Sequence, residues 1–109
     1  CLKLKAGEEP DGALEARVGA VREAVGPDVA LRLDFNGSLS AEWAEDVLGQ
    51  VARFDIEYAE QTIPPGAGAE ALARLRWTGA VPIAADDSVR DLGAARILLV
   101  SGAVDALVV

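Results

Sequence analysis

Val29-Ala30-Leu31-Arg32-Leu33, followed by Asp34-Phe35-Asn36-Gly37, is the stretch that decides the fold. The first five residues read as an apolar strand, and the Asn-Gly pair closes it with a turn. The acid at the strand end, Asp34, has counterparts in Glu60 and Asp86, at successive intervals of 26 positions. Each follows a short apolar stretch and precedes a loop and a helix-like segment. One strand, one helix and two loops fill about that length in a parallel βα array. In such an array the C-terminal ends of all strands face the same way, so the three carboxylates converge. Converging carboxylates repel one another unless a cation lies between them. Any one of these acids, taken singly, reads as a helix cap or a solvated loop residue. Three at an equal interval after three strands favour a divalent metal site.

The rest of the chain extends the same rhythm in both directions. Leu2-Lys3-Leu4-Lys5 alternates as a strand with one face toward a core. Leu14, Val18, Val21 and Val25 fall at helical spacing within Asp11 to Val25, and Gly26-Pro27 ends that helix. Ser40 reads as the cap of a second helix whose apolar face carries Trp43, Val47, Leu48 and Val51. Phe54 to Tyr58 is the next strand, and Pro64-Pro65-Gly66 forces a loop. A helix over Ala69 to Trp77, with Leu72 and Leu75 inward, leads to a strand at Val81 to Ala85. Leu92 to Val100 is a fourth helix, stopped near Gly102, and Ala106 to Val109 begins another strand.

The order is therefore β-α-β-α-β-α-β-α-β with parallel strands, an α/β chain of βα repeats. Two arrangements fit, an open doubly wound sheet and part of a TIM-type (β/α)8 barrel. A closed barrel typically needs about 250 residues, so this chain would supply about half of one. Residues 1–109 are read as one partial barrel domain of a larger protein.

Composition narrows the chemistry. The 109 residues are 51% hydrophobic and 26% charged, which fits one soluble globular domain with a single core. Apolar runs such as Ile97 to Val100 are far too short to span a bilayer, so no membrane partner is expected. The single cysteine, Cys1, allows no internal disulfide and fits a reducing compartment; no signal-peptide pattern opens the chain, and a cytoplasmic location is expected. With no histidine, serine–histidine triads, cysteine–histidine dyads and histidine-based zinc sites are excluded. The net charge of −8, without a basic cluster, argues against nucleic acid. Acid and base work falls to Lys, Asp, Glu or Tyr.

Asp34, Glu60 and Asp86 offer only hard oxygen donors, which suit Mg²⁺, or Mn²⁺, better than zinc or copper. Lys3 and Lys5 are two apart on one strand and share a face. Two adjacent ammonium groups lower the pKa of one toward that of a useful base. The competing reading is a pair of surface lysines that keeps an edge strand from aggregating. Asn36 either faces the site or only shapes the turn before Gly37. Gln61 and Asp87 adjoin the candidate ligands and are expected to support them. Ser88 reads as a helix cap, and Trp43 and Trp77 as packing residues.

Lys3-x-Lys5, Asp34-x-Asn36-Gly37, Glu57-Tyr58-Ala59-Glu60-Gln61 and Ala85-Asp86-Asp87-Ser88-Val89-Arg90, in this order, resemble the enolase superfamily. The likeness is closest to its muconate-lactonizing subgroup and, within that, to the o-succinylbenzoate synthases. It implies that Asp34, Glu60 and Asp86 are Mg²⁺ ligands, that Lys5 is the acid/base, and that Lys3 tunes the base and the substrate carboxylate. It implies a Mg²⁺-dependent lyase that abstracts a proton beside a carboxylate and expels water, on the route to menaquinone. N-succinylamino acid racemase, dipeptide epimerase and muconate cycloisomerase share the same motifs, and a non-catalytic barrel piece is the reading from another class. The partner would be a small-molecule carboxylate, with a homo-oligomer as a further option for covering open barrel edges. Thr62 stands where the family usually has proline, Asp87 where glutamate is usual, and Phe35 where a small residue is common. Asp105-Ala106-Leu107-Val108-Val109 matches the approach to a second catalytic lysine, which would be the next residue.

Overall fold

The computed structural model describes residues 1–7, 9–10, 12–86 and 88–108. Among the described residues the strands are β1 (Leu2–Lys5), β2 (Leu31–Asp34), β3 (Ile56–Glu60), β4 (Ile83–Ala85) and β5 (Ala106–Leu107). The helices are α1 (Ala13–Val25), α2 (Ala41–Val51), α3 (Gly68–Thr78) and α4 (Leu92–Val100). Short 3₁₀ turns at Ala52–Phe54 and Pro65–Ala67 complete the path. The expected starting and ending positions Asp11 and Val109 lie outside the described residues.

The strands lie in the order β1-β2-β3-β4-β5, and every neighbouring pair is parallel. Each strand thus pairs with the next one in sequence. A doubly wound sheet needs a reversal of strand order, and none occurs among the described residues. The fold is the singly wound arc of a TIM-type barrel. Helices α1, α2 and α3 pack side by side against one face.

Local signals set most boundaries. Ser40 caps α2, its hydroxyl accepting from the Trp43 N–H at 3.3 Å. Gly26, at φ 81°, ends α1. The β3 strand begins two residues later than the apolar pattern suggests, because Phe54 closes a 3₁₀ turn and Asp55 sits at φ 55°. The β4 strand begins only at Ile83, after Pro82, which has no N–H to donate.

One continuous core lies between sheet and helices. It joins Leu31, Leu33, Ala59, Ile83 and Ala85 of the strands to Val18, Leu48, Leu72 and Leu98 of the four helices. Phe35 is fully buried in it. The two tryptophans do not take the packing role expected of them. Trp43 is 60% exposed and Trp77 87% exposed. At about 100° per residue, Trp77 falls roughly opposite the Leu72–Leu75 stripe, and in α2 the buried stripe is Ala44, Leu48 and Val51. Ser88 is not the cap of α4 either; Asp91 is, its carboxylate accepting from the Ala94 N–H at 2.7 Å.

Candidate active site

The second face of the sheet is polar, and register builds it. Lys5 lies opposite Asp34, and Asp34 opposite Glu60, in one row across β1, β2 and β3. One row toward the N-terminal end, Lys3 lies beside Arg32 and Arg32 beside Tyr58. This second row depends on an irregularity: Leu31 pairs with Ile56, but Arg32 pairs with Tyr58. Glu57 is the extra residue, a bulge. It lets Ile56 and Ala59 both join the core while Tyr58 and Glu60 share the polar face.

The acids and lysines meet at the C-terminal end of the strands. Lys5 Nζ donates to Asp34 Oδ2 at 2.7 Å and to Asn36 Oδ1 at 3.3 Å. Lys3 Nζ donates to Glu60 Oε2 at 3.2 Å and stands 3.5 Å from Asp34 Oδ2. Asp34 and Glu60 are buried, 2% and 1% exposed, whereas both lysine side chains reach solvent. Arg17 steadies the base of this group by donating to the Lys5 carbonyl at 2.8 Å.

Electrostatics follow from that packing. Burial alone would raise the Asp34 carboxyl, but the Lys5 hydrogen bond, the Asn36 N–H and the two ammonium charges together hold it below its ordinary value. Glu60 moves the other way: burial raises it, and the neighbouring Asp86 carboxyl adds to the rise against the pull of Lys3. The hydrogen bond to Glu60, then its charge, lift Lys3 above the ordinary lysine value. The expected depression by a neighbouring ammonium does not prevail at Lys3, because its closest neighbours are carboxylates.

Among the described residues, no three of His, Cys, Asp and Glu form a cluster of metal-holding geometry. Lys3 pairs with both Asp34 and Glu60, and Lys5 pairs with Asp34. The donor chemistry nevertheless suits a hard divalent cation. Glu60 Oε1 is buried and, among the described residues, accepts no hydrogen bond, which leaves a carboxylate oxygen to engage one.

Asn36 and Gln61 follow the first two acids, and both have left-handed backbones, at φ 50° and 41°. Such conformations are uncommon outside glycine and are held only by surrounding structure. The Asn36 N–H donates to Asp34 Oδ1 at 3.1 Å. Gln61 is fully buried, with its amide bonded to the loop after β4. Asp87 lies outside the described residues. Sequence reading missed Arg32 and Tyr58. Arg32 donates to Glu57 Oε2 at 2.5 Å, with its guanidinium 4.9 Å from the Tyr58 ring centre. The available signal was their position two residues before Asp34 and Glu60, which places them on the same strand face.

A family model described as "Enolase C-terminal domain-like" matches residues 1–109. The chain belongs to the enolase superfamily. Among curated enolase-superfamily relatives, the o-succinylbenzoate synthase of Thermobifida fusca is 44% identical over 75 residues, covering 69% of this chain and 23% of that protein. The hydrophobic dipeptide epimerase of Roseobacter litoralis is 40% identical over 95 residues, covering 84% of this chain and 27% of its own length. The chain spans about a quarter of the length of these curated relatives. A solved mandelate racemase/muconate lactonizing family protein from Azoarcus sp. EbN1 superposes with a TM-score of 0.90 at 37% identity, over 96% of this chain and 28% of that one. The L-talarate dehydratase of Polaromonas sp. JS666, solved with Mg and L-glucarate, gives 0.87 at 31% identity over 97% of this chain and 29% of that one. Enolase-superfamily relatives thus include lyases, epimerases and isomerases on the same scaffold.

Proposed function

We propose that residues 1–109 belong to the barrel domain of a Mg²⁺-dependent acid/base enzyme that acts on a small carboxylate, most specifically an o-succinylbenzoate synthase. The observation that carries this reading is the row Lys5–Asp34–Glu60, with Lys3 bridging the two buried acids. Two o-succinylbenzoate synthases, at 44% and 46% identity, support the specific reaction. Asp34, Glu60 and Asp86 would hold the cation, Mg²⁺ or Mn²⁺. When bound, such an ion polarises a carboxylate and stabilises negative charge that develops on it.

The residues divide the remaining work. Lys3, with its ammonium form favoured by Glu60, keeps its charge and orients the substrate carboxylate. Lys5 takes the proton from the carbon beside that carboxylate. It then returns the proton to the departing hydroxyl group, which leaves as water. Asn36 sits within hydrogen-bonding reach of Lys5 Nζ and directs it toward the substrate. In the synthase reaction the product is o-succinylbenzoate, on the route to menaquinone.

Dipeptide epimerisation is the second reading, favoured by epimerases that match 84% and 97% of this chain. Both reactions begin with the same proton removal and part afterwards. The test is a substrate panel in D₂O with Mg²⁺, using the full-length protein and following solvent deuterium and product by NMR. Dehydration of the o-succinylbenzoate precursor, lost in Lys5→Ala, is the expected result. Exchange and inversion of dipeptides alone would select the epimerase, and no exchange on any carboxylate would overturn both.

A further inference from the structure

Gln61 carries more hydrogen bonds than its place beside a ligand requires. Its side chain is wholly buried, where an unpaired amide would cost several kcal/mol. Every polar atom of that amide is used. Oε1 accepts from the N–H groups of Asp86 and Ser88, both at 3.0 Å. Nε2 donates to the Ile63 carbonyl and to Ser88 Oγ, both at 2.8 Å. The Gln61 backbone reaches the opposite way, its carbonyl accepting from the Gly37 N–H at 2.6 Å, while its own N–H donates to the Ala84 carbonyl at 2.9 Å. One residue at the end of β3 thus joins the loop after β2 to the loop after β4, and each of the three loops begins at one of the acids.

We propose that Gln61 is a positioning residue: its side-chain amide fixes the backbone N–H groups of Asp86 and of Ser88 and so sets where the Asp86 carboxylate lies relative to Glu60 and Asp34. This inference rests on the reading of those three acids as a cation site. Glutamine suits the task for stated reasons. Glutamate would still accept from the two N–H groups, but it would lose both donated bonds and add a buried charge next to Glu60. Asparagine is one methylene short. An apolar side chain of equal length leaves the N–H groups of Asp86 and Ser88 without a partner.

The test uses Gln61→Met in the full-length protein, with Asp86→Asn and the α3 core variant Leu72→Ala as references. Amide hydrogen exchange, measured without divalent cation, should speed up at Asp86 and Ser88. It should stay slow at Gly37, whose partner is the Gln61 backbone. Mn²⁺ binding, followed by electron paramagnetic resonance, should weaken about 10- to 100-fold, as it does when groups supporting metal ligands are removed. Leu72→Ala should lose stability yet bind Mn²⁺ as the unaltered protein does, and excess cation should restore turnover to Gln61→Met. Unchanged exchange at Asp86 and Ser88, or unchanged Mn²⁺ affinity beside a weakened Asp86→Asn, would overturn the positioning role. If Gln61→Met does not fold, Gln61→Asn, whose amide is one methylene short of the two N–H groups, replaces it, with the same expected and overturning results. Failure of the reading beneath is distinguishable: the unaltered protein would not bind Mn²⁺, or Asp86→Asn would bind it equally well, and the inference would fall with it.

Discussion

Lys5 and Glu60 show how single side chains divide function from stability. Lys5 is expected to be the acid/base, so Lys5→Ala in the full-length protein should abolish proton exchange while leaving Mn²⁺ affinity within a few-fold. Near-normal turnover in that variant would refute the assignment. Glu60 is expected to be a ligand held at a cost. Its folded-state carboxyl is raised, by burial first and by Asp86 second. A raised acid favours the folded state while protonated and loses that advantage as pH rises through its folded value. Glu60→Gln should therefore raise the melting temperature of the cation-free protein at neutral pH, by a margin that shrinks toward acid pH, while Mn²⁺ binding is lost. Calorimetry at two pH values, with a Mn²⁺ titration beside it, measures both. Phe35 serves packing. Its complete burial predicts a loss of about 3–5 kcal/mol in Phe35→Ala by urea unfolding.

Among the elements, the N-terminal ends of the strands are tied down by arginines from the helices. Arg22, in the last turn of α1, donates to the carbonyls of Gly26, Val29, Phe54 and Asp55 at 2.6–3.0 Å. It binds the turn into β2 to the turn into β3. Arg76, in the last turn of α3, reaches the Gly102 carbonyl and the Asp105 carboxylate, which in turn accepts from the Ile83 N–H at 2.8 Å. These bonds hold the rim opposite the candidate site, where stability rather than chemistry is expected to reside. Arg22→Ala should cost about 2–3 kcal/mol, seen as a lower urea midpoint with cation affinity unchanged. The loop after β2 is held differently. Gly37 has φ 71°, and a Cβ there would come 3.2 Å from the Pro64 Cα. Gly37→Ala should therefore destabilise by about 1–3 kcal/mol and, unlike Arg22→Ala, weaken cation binding through Asp34.

At the scale of the whole molecule, β1 and β5 are the outer strands of the sheet, and among the described residues each has one unpaired edge. Helix α4 adds exposed apolar side chains, with Leu92 90% and Val100 80% exposed. Unpaired edges and apolar surface promote pairing between chains. The 109 residues alone should self-associate in sedimentation velocity runs, with a sedimentation coefficient that rises with concentration. Leu92→Lys with Val100→Lys should reduce that rise. The same 109 residues should show no measurable dehydratase turnover, since water reaches the polar face and weakens its electrostatic interactions.

Sequence alone determined what depends on local period and local breakers. Leu31 and Leu33 alternate with Arg32 and Asp34, Ser40 caps α2, and Gly26 ends α1, so the βα rhythm and the acids at the strand ends were legible. Strand order was not, because parallel strands joined by similar crossovers can be laid side by side in more than one sequence. Only the packing of successive units side by side selected the singly wound arc. The partners of Arg32 were hidden for a related reason: the bulge at Glu57 breaks strict alternation, so Ile56 faces the core while Tyr58 does not. Trp43 and Trp77 look like core residues by hydrophobicity, but the angular position of each on its helix leaves it in solvent. The reach of Gln61 to the N–H groups of Asp86 and Ser88 joins residues 25 and 27 positions apart, and a hydrogen bond over that separation exists only once β3 and β4 have paired.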